Sequence, residues 1–444
     1  MIAPWKRLLS LALAALMFSF LVISVPSSQA APLPLKQGHR GAAVLDLQKQ
    51  LQHLGYLQTQ PTGYFGPITT KSVVKLQADY QLKVDGVVGP QTNQIINKLL
   101  GYAPAPPSNV PGTKSSKEVL GFYVGSEPSI PSSYATVEKH KDKLTSISPF
   151  WYRLARNNPG QLEKYGNDTA QEIQQVMKLA KENNIKNYAL IHNLLYGGSV
   201  GRNVLHSALA DPKTRWTLVM NIYNLLKDNG FDGVCIDIED MHAWDRTLYN
   251  QFLAELSAQL KPSGYEIIVC VPAKTTDKTT GGWGDNFDFT KVGRYADMVA
   301  VMAYDEHTAG SKAGPIASPA YLERVIKYAL TKLPPEKILL GVAGYGFDWN
   351  YGLGNSRYIS YQMALDTARK YGKSVQWSTS GQAPYFTYTD QKGNWHCVYF
   401  ENSSSMAFKL DAVNKYNLKG IALWRLGMED PDSWRLIAGK LGKS

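Results

Sequence analysis

Phe231-Asp232-Gly233-Val234-Cys235-Ile236-Asp237-Ile238-Glu239-Asp240 is an apolar, β-branched run that turns acidic at its far end. Residues of this kind, entered through a glycine, read as a strand. Side chains on a strand alternate between faces. Val234, Ile236 and Ile238 therefore share one face, suited to packing under helices. Cys235, Asp237 and Glu239 share the other, a thiol followed by two carboxylates. Ionisable groups aimed into a protein interior are costly unless they serve a purpose. The bland alternative is that acids at a strand end cap a helix or pair with arginine.

Working outward, similar short β-rich runs recur at Val119–Val124, Leu144–Pro149, Asn187–His192, Glu266–Val271, Met298–Ala303, Lys337–Ala343 and Gly420–Trp424. Amphipathic helical stretches fall between them, among them Asp168–Asn183, Thr214–Asn229, Arg246–Leu260 and Tyr321–Leu333. Strands alternating with helices imply an α/β fold, a (β/α)8 TIM barrel over residues 118–444. The last gap is too long for one crossover. It predicts a small α+β insertion between strands 7 and 8: a helix near Ser360–Tyr371, a hairpin around Tyr385–Phe400 and a helix near Ser404–Tyr416. In such a barrel the C-terminal strand ends carry the active site, which is where Asp237 and Glu239 fall.

Upstream lies a smaller region, 35–101, preceding the barrel as a three-helix domain. Val44, Leu47, Leu51 and Leu54 keep helical spacing up to Gly55; Val73, Val74 and Leu76, then Ile95, Ile96 and Leu99, mark two more helices. Two loops echo each other, Gly63-Tyr64-Phe65-Gly66-Pro67-Ile68-Thr69 and Asp85-Gly86-Val87-Val88-Gly89-Pro90-Gln91-Thr92. Residues 102–117, YAPAPPSNVPGTKSSK, read as a semi-rigid linker. Residues 1–30 read as a signal peptide: Lys6 and Arg7, an apolar run from Leu8 to Val25, and Ser28-Gln29-Ala30 as a cleavage site. An uncleaved anchor is the alternative; after cleavage no membrane attachment is expected, and the chain is secreted.

The chain has 444 residues and a net charge of +11. No run of Lys and Arg interleaved with aromatics favours nucleic acid; an anionic cell wall suits the charge better. Three cysteines, Cys235, Cys270 and Cys397, make no disulfide framework. No His and Cys spacing suggests a metal, and no cofactor is expected.

A glycosidase needs an acid to protonate the leaving oxygen and something to stabilise the oxocarbenium-like centre. Glu239 is placed for the first task, and Asp237, one pleat deeper, for orienting it. Periodicity leaves open whether the second species is a carboxylate, a water or the substrate. The run DGVCIDIE resembles the DGxDxDxE motif of glycoside hydrolase family 18, MAYD at Met302–Asp305 resembles its strand-6 motif, and Trp424 matches the tryptophan that floors its sugar site. The resemblance implies a retaining, substrate-assisted reaction in which the sugar's N-acetyl group attacks its own anomeric carbon. Glu239 would then be acid and later base, Asp237 would bind the acetamide nitrogen, Tyr304 its oxygen, and Asp305 the sugar. Cys235 departs from the motif, which carries an aspartate there that exchanges a proton with the middle one. The small region, through LQKQLQHLGY, GYFGPIT and DGVVGPQT, resembles the peptidoglycan-binding domain of bacterial wall hydrolases; a generic three-helix spacer is the alternative.

Met302, Tyr123, Tyr345 and Asn193 are expected to contact substrate alongside Trp424, with Phe150, Trp151 and Trp349 as weaker candidates. His192 reads as a core histidine. SPFWY at Ser148–Tyr152, AGPIAS at Ala313–Ser318 and LWRLG at Leu423–Gly427 resemble the spore-germination branch of the family. The expected substrate is peptidoglycan or a chitin-type N-acetylated glycan, acted on by a monomer at the cell wall or spore, with the small region tethering the barrel to the wall. A chitinase, or a non-catalytic wall-glycan lectin, is the competing reading.

Overall fold

The computed structural model describes residues 34–99, 117–196, 200–277 and 283–442. The signal segment and residues 102–116 of the linker lie outside them.

Eight parallel strands close a barrel: β1 (Glu118–Tyr123), β2 (Ser146–Pro149), β3 (Lys186–His192), β4 (Gly233–Asp237), β5 (Glu266–Pro272), β6 (Met298–Met302), β7 (Ile338–Ala343) and β8 (Gly420–Trp424). Each pairs with its neighbours in chain order, and β8 returns to β1 with Glu118 opposite Gly420. Gly233 is required by this closeness: a Cβ there would sit 2.1 Å from the Glu266 carbonyl oxygen of β5. The expected alternation on β4 holds. Val234, Ile236 and Ile238 lie in the layer between strands and helices, whereas Cys235 belongs to the barrel interior with Leu190, Ile268 and Ala300.

The helices are set by their ends. Asp211 accepts from Thr214 N at 2.8 Å ahead of Pro212, and Gly230 at φ 72° closes the same helix. Pro supplies a pre-set φ in the first turn, and the left-handed terminus tolerates glycine best.

The insertion is a five-stranded antiparallel sheet, in the order Asn355–Ser360, Tyr345–Asn350, Trp395–Tyr399, Ala383–Thr389, Gln376–Ser378, with the helix Tyr361–Lys370 against it. The sequence reading found only the central hairpin and that helix. It also placed the helix near Ser404–Tyr416 in the insertion. That helix, Ser403–Lys415, instead buries Met406, Leu410 and Val413 in the barrel's outer layer. Its apolar stripe was legible; which core it served was not.

The N-terminal helices are α1 (Ala42–His53), α2 (Pro67–Asp79) and α3 (Pro90–Leu99). The echoing loops have one physical cause. Gln48 of α1 accepts from Thr62 N and Gly63 N, both at 2.8 Å, and donates to Thr69 Oγ1 at 2.8 Å. Gln77 of α2 accepts from Gly86 N at 2.8 Å and donates to Thr92 Oγ1 at 3.1 Å. Each buried glutamine pins the glycine loop to the helix that follows, so all its polar atoms are satisfied.

Candidate active site

The C-terminal ends of β4, β6 and β8, with one face of the insertion, enclose a pocket of about 500 Å³. Of the residues expected at the site, Glu239, Met302, Tyr304, Asp305, Tyr345 and Trp424 all line it. Asp237 lies just below and is 3% exposed. The floor is aromatic: Trp424 meets Phe122 at 5.4 Å and Phe150 at 5.7 Å between ring centroids. His192 stacks on Phe150 at 3.9 Å and accepts from Leu194 N, while burial pushes its pKa down to about 3. It is a neutral core histidine.

Two expected contacts are elsewhere. Tyr123 faces outward, edge-on to Trp151 at 5.7 Å, in the layer under the helices. The sequence placed it correctly at a strand end but on the wrong face. Asn193 is fully buried beside the site and braces it: its Oδ1 accepts from Glu239 N at 3.0 Å, and its Nδ2 donates to the carbonyls of Asp240 and Gly201. Trp349 donates to the Thr308 carbonyl at 3.1 Å, fastening the loop after β6.

Phe347, Tyr358 and Tyr321 also line the pocket and were not foreseen. Phe347 alternates with Tyr345 and Trp349, a period-2 signal that reading Tyr345–Asn350 as a strand would have exposed. Cys270 was missed as well. The β4–β5 register sets Ile236 against Val269, so Cys270 comes beside Asp237. Its thiol hydrogen-bonds the Asp237 carboxylate, and its Sγ lies 3.6 Å from Cys235 Sγ.

Electrostatically the site is starved. Among the described residues no lysine, arginine or histidine forms an ion pair with Asp237, Glu239 or Asp305. Burial raises the Glu239 pKa well above the ordinary carboxylate range, with the charges of Asp237 and Asp305 adding to it. Burial also carries Asp237 up to about 6, opposed by the Cys270 thiol. Asp305 is raised by burial, opposed by the hydroxyl of Tyr345, which donates to its Oδ1. Asp305 sits at φ 59°, a left-handed conformation that costs a non-glycine residue energy and concentrates at functional sites. A carboxyl biased toward its protonated form in the wall of an aromatic-floored pocket can give a proton to a leaving oxygen.

A closed parallel barrel with such an acid at the end of its fourth strand is the architecture of a glycoside-cleaving enzyme. Residues 119–429 match the family described as "Glycosyl hydrolases family 18", and the chain belongs to that family. Residues 40–96 match a second description, "Putative peptidoglycan binding domain". The chain is 35% identical over 321 residues to "Putative sporulation-specific glycosylase YdhD" of Bacillus subtilis, covering 71% of this chain and 74% of that one. It is 30% identical over 302 residues to the "Cortical fragment-lytic enzyme" of B. subtilis, covering 66% and 67%. The crystal structure of the Bacillus megaterium spore cortex-lytic enzyme SleL superposes with a TM-score of 0.65 at 24% identity, over 83% of this chain and 84% of that one.

Proposed function

We propose that this enzyme hydrolyses β-1,4 bonds beside N-acetylglucosamine in peptidoglycan, with spore cortex as the natural form, by retaining, substrate-assisted catalysis. The observation that carries the reading is Glu239: half-buried at the pocket wall, without an ion-pair partner among the described residues, and held above its ordinary pKa by desolvation and two neighbouring carboxylates. Such a group is biased toward the protonated form that a general acid needs. It protonates the leaving oxygen and, once ionised, takes the proton from the incoming water.

The nucleophile in this scheme is the acetamide oxygen of the bound sugar. A retaining pair of protein carboxylates stands about 5–5.5 Å apart across the bond. Asp237 instead shares a strand face with Glu239, two residues deeper, which suits it to grip the acetamide nitrogen. Tyr304 holds the acetamide oxygen. Asp305, tied to Tyr345, binds the sugar and supports the acid. Trp424, backed by Phe122 and Phe150, stacks on the sugar ring; Met302 and Tyr345 complete the wall.

Peptidoglycan is favoured over chitin by the match of residues 40–96 and by the cortex-lytic relatives. Export of a monomer to the wall accounts for the apolar N-terminal run and the net charge of +11. The test compares turnover of purified peptidoglycan fragments before and after de-N-acetylation, with a thiazoline mimic of the oxazolinium ion as inhibitor. Hydrolysis confined to the N-acetylated form and blocked by the thiazoline is expected. Comparable turnover of both forms without inhibition would sink the mechanism, and turnover of chitin oligomers alone would reassign the substrate.

A further inference from the structure

The small N-terminal region is expected, from its semi-rigid Pro-rich connection, to act as a separate tether to the wall. What it touches argues otherwise. Two barrel helices, α4 (Pro212–Asn229) and α5 (Arg246–Leu260), lie against it. On their outer faces sits an ion pair that an isolated barrel has no reason to bury: Arg215, 4% exposed, and Glu255, 3% exposed. The guanidinium reaches Glu255 Oε1 through Nη2 at 2.8 Å and both carboxylate oxygens through Nε at 3.1 Å. The lid over this pair is Tyr80, at the end of α2, whose hydroxyl donates to Glu255 Oε1 at 2.7 Å. A buried charge pair is tolerated where its remaining lone pairs are satisfied, and Tyr80 satisfies one from across the junction.

Apolar packing surrounds the polar centre. Trp216 of α4 meets the Tyr80 ring edge-on at 5.0 Å. Ala258 of α5 belongs to the core of the N-terminal region, not to the barrel's own core. The gap between Tyr80, Ile95, Leu99, Trp216 and Ala258 has room for about one water molecule. On its other side the seam opens into a cavity of about 360 Å³ lined by His53, Tyr56 and Leu99 from the N-terminal region and by Arg246, Asn250 and Ala254 from α5, so the contact is closed around Tyr80 and wetter beyond it.

We infer that residues 34–99 are a docked part of the enzyme, latched through Tyr80 onto the Arg215–Glu255 pair, so that the glycan-holding region keeps a fixed orientation to the barrel. The partner of this barrel surface is thus a segment of the same chain.

A lengthened linker separates the two pictures. Inserting about twenty Gly/Ser residues between residues 103 and 115 of the full-length protein lets a free module wander, with reach growing roughly as the square root of linker length. A latched one stays put. Small-angle scattering should give an unchanged radius of gyration for the lengthened protein, apart from the insert itself. Adding Ala258→Arg, which alters only the barrel side of the junction, should expand it by several ångströms while turnover of short soluble fragments stays at the parent rate. Expansion of the lengthened parent to the size of its Ala258→Arg version would overturn the latch, as would a compact lengthened Ala258→Arg protein. Neither readout depends on the substrate assigned above.

Discussion

One strand carries two buried acidic settings on its two faces. The insertion strand Tyr345–Asn350 turns Tyr345 and Phe347 into the catalytic pocket. Its other face sends Asp348 into a second cavity of about 540 Å³. Asp348 is 3% exposed, as Asp237 is, yet the surroundings differ. Asp348 accepts from His396 Nδ1 at 2.7 Å, from Tyr388 at 2.8 Å and from Arg357 at 3.3 Å. Tyr371, Tyr388 and His396 stack in sequence at 4.3 Å spacings. Asp237 has one oxygen with no partner and only a thiol at the other. Burial alone does not distinguish chemistry from architecture, since both acids are equally hidden. Satisfaction does: a carboxylate with cations and donors on its lone pairs holds a fold together, and one denied them is poised to exchange a proton.

The largest expected effect tests the poised side. Glu239→Gln keeps the shape of the acid and removes its proton, so turnover of peptidoglycan fragments should fall by at least about 10²-fold, the usual lower worth of general acid catalysis. Binding of the intact glycan should persist. A variant retaining more than about a tenth of the parent rate would move the acid elsewhere. The matching change on the satisfied side, Asp348→Ala, should do the reverse. It leaves the guanidinium of Arg357 without its buried counter-charge and His396 and Tyr388 without their hydrogen-bond acceptor, a break worth about 3–5 kcal/mol when fully buried and less here because Arg357 is half exposed. Urea unfolding should report the loss, while the rate per folded molecule stays within a few-fold. A collapse of rate in Asp348→Ala, at unchanged stability, would erase the distinction.

A smaller effect concerns stability against pH. Glu239 has a raised pKa in the folded protein and about 4.3 when unfolded. Below that lower value both states are protonated and nothing is lost. As pH rises above it, the unfolded chain ionises first, and stability falls by up to about 1.4 kcal/mol per unit until the folded acid also ionises. Glu239→Gln abolishes this dependence. Its melting temperature should therefore gain on the parent progressively as pH rises above about 4.3, over the range where only the unfolded chain is ionised. A gain that shrinks over that range would contradict the raised pKa.

How much of this was open to the sequence depends on whether the signal was local. The period-2 pattern of Val234–Glu239 carries its own register, so the strand and its inner acids could be read directly, whereas Tyr304, Asp305 and Trp424 are reached only through the resemblance of their motifs to the family. Tyr123 shows the limit: at the edge of a strand buried on both faces, hydrophobicity cannot tell inside from outside. The helix Ser403–Lys415 shows another, because its stripe fits either core. The docking of Tyr80 on Glu255 joins residues 175 positions apart, and no spacing rule reports such a pair. Cys270 lies beyond the same horizon, for its role comes from the strand next door.

That thiol gives the finest test of what satisfaction does to a buried acid. Asp237 is lifted by burial to about 6 and is held from rising further by the hydrogen bond from Cys270. Cys235, where the family motif has an aspartate, does not act on Asp237 in the same way; it lies 3.6 Å from Cys270 Sγ and backs that thiol. Cys270→Ala therefore removes the one group that favours ionised Asp237. A hydrogen bond of ordinary strength is worth about 0.5–1.5 kcal/mol, so the apparent pKa on the acidic limb of kcat against pH should climb by at most about one unit. Cys235→Asp should act in the same direction by another route, since a carboxylate brought near Asp237 couples to it and raises one of the two apparent values. Combined in one chain, the two changes should not simply add, because position 235 and Cys270 are in contact and both act on the same Asp237 carboxylate. Full additivity would mean that the thiols act independently, and a limb unmoved by either would reduce both to packing beneath the site.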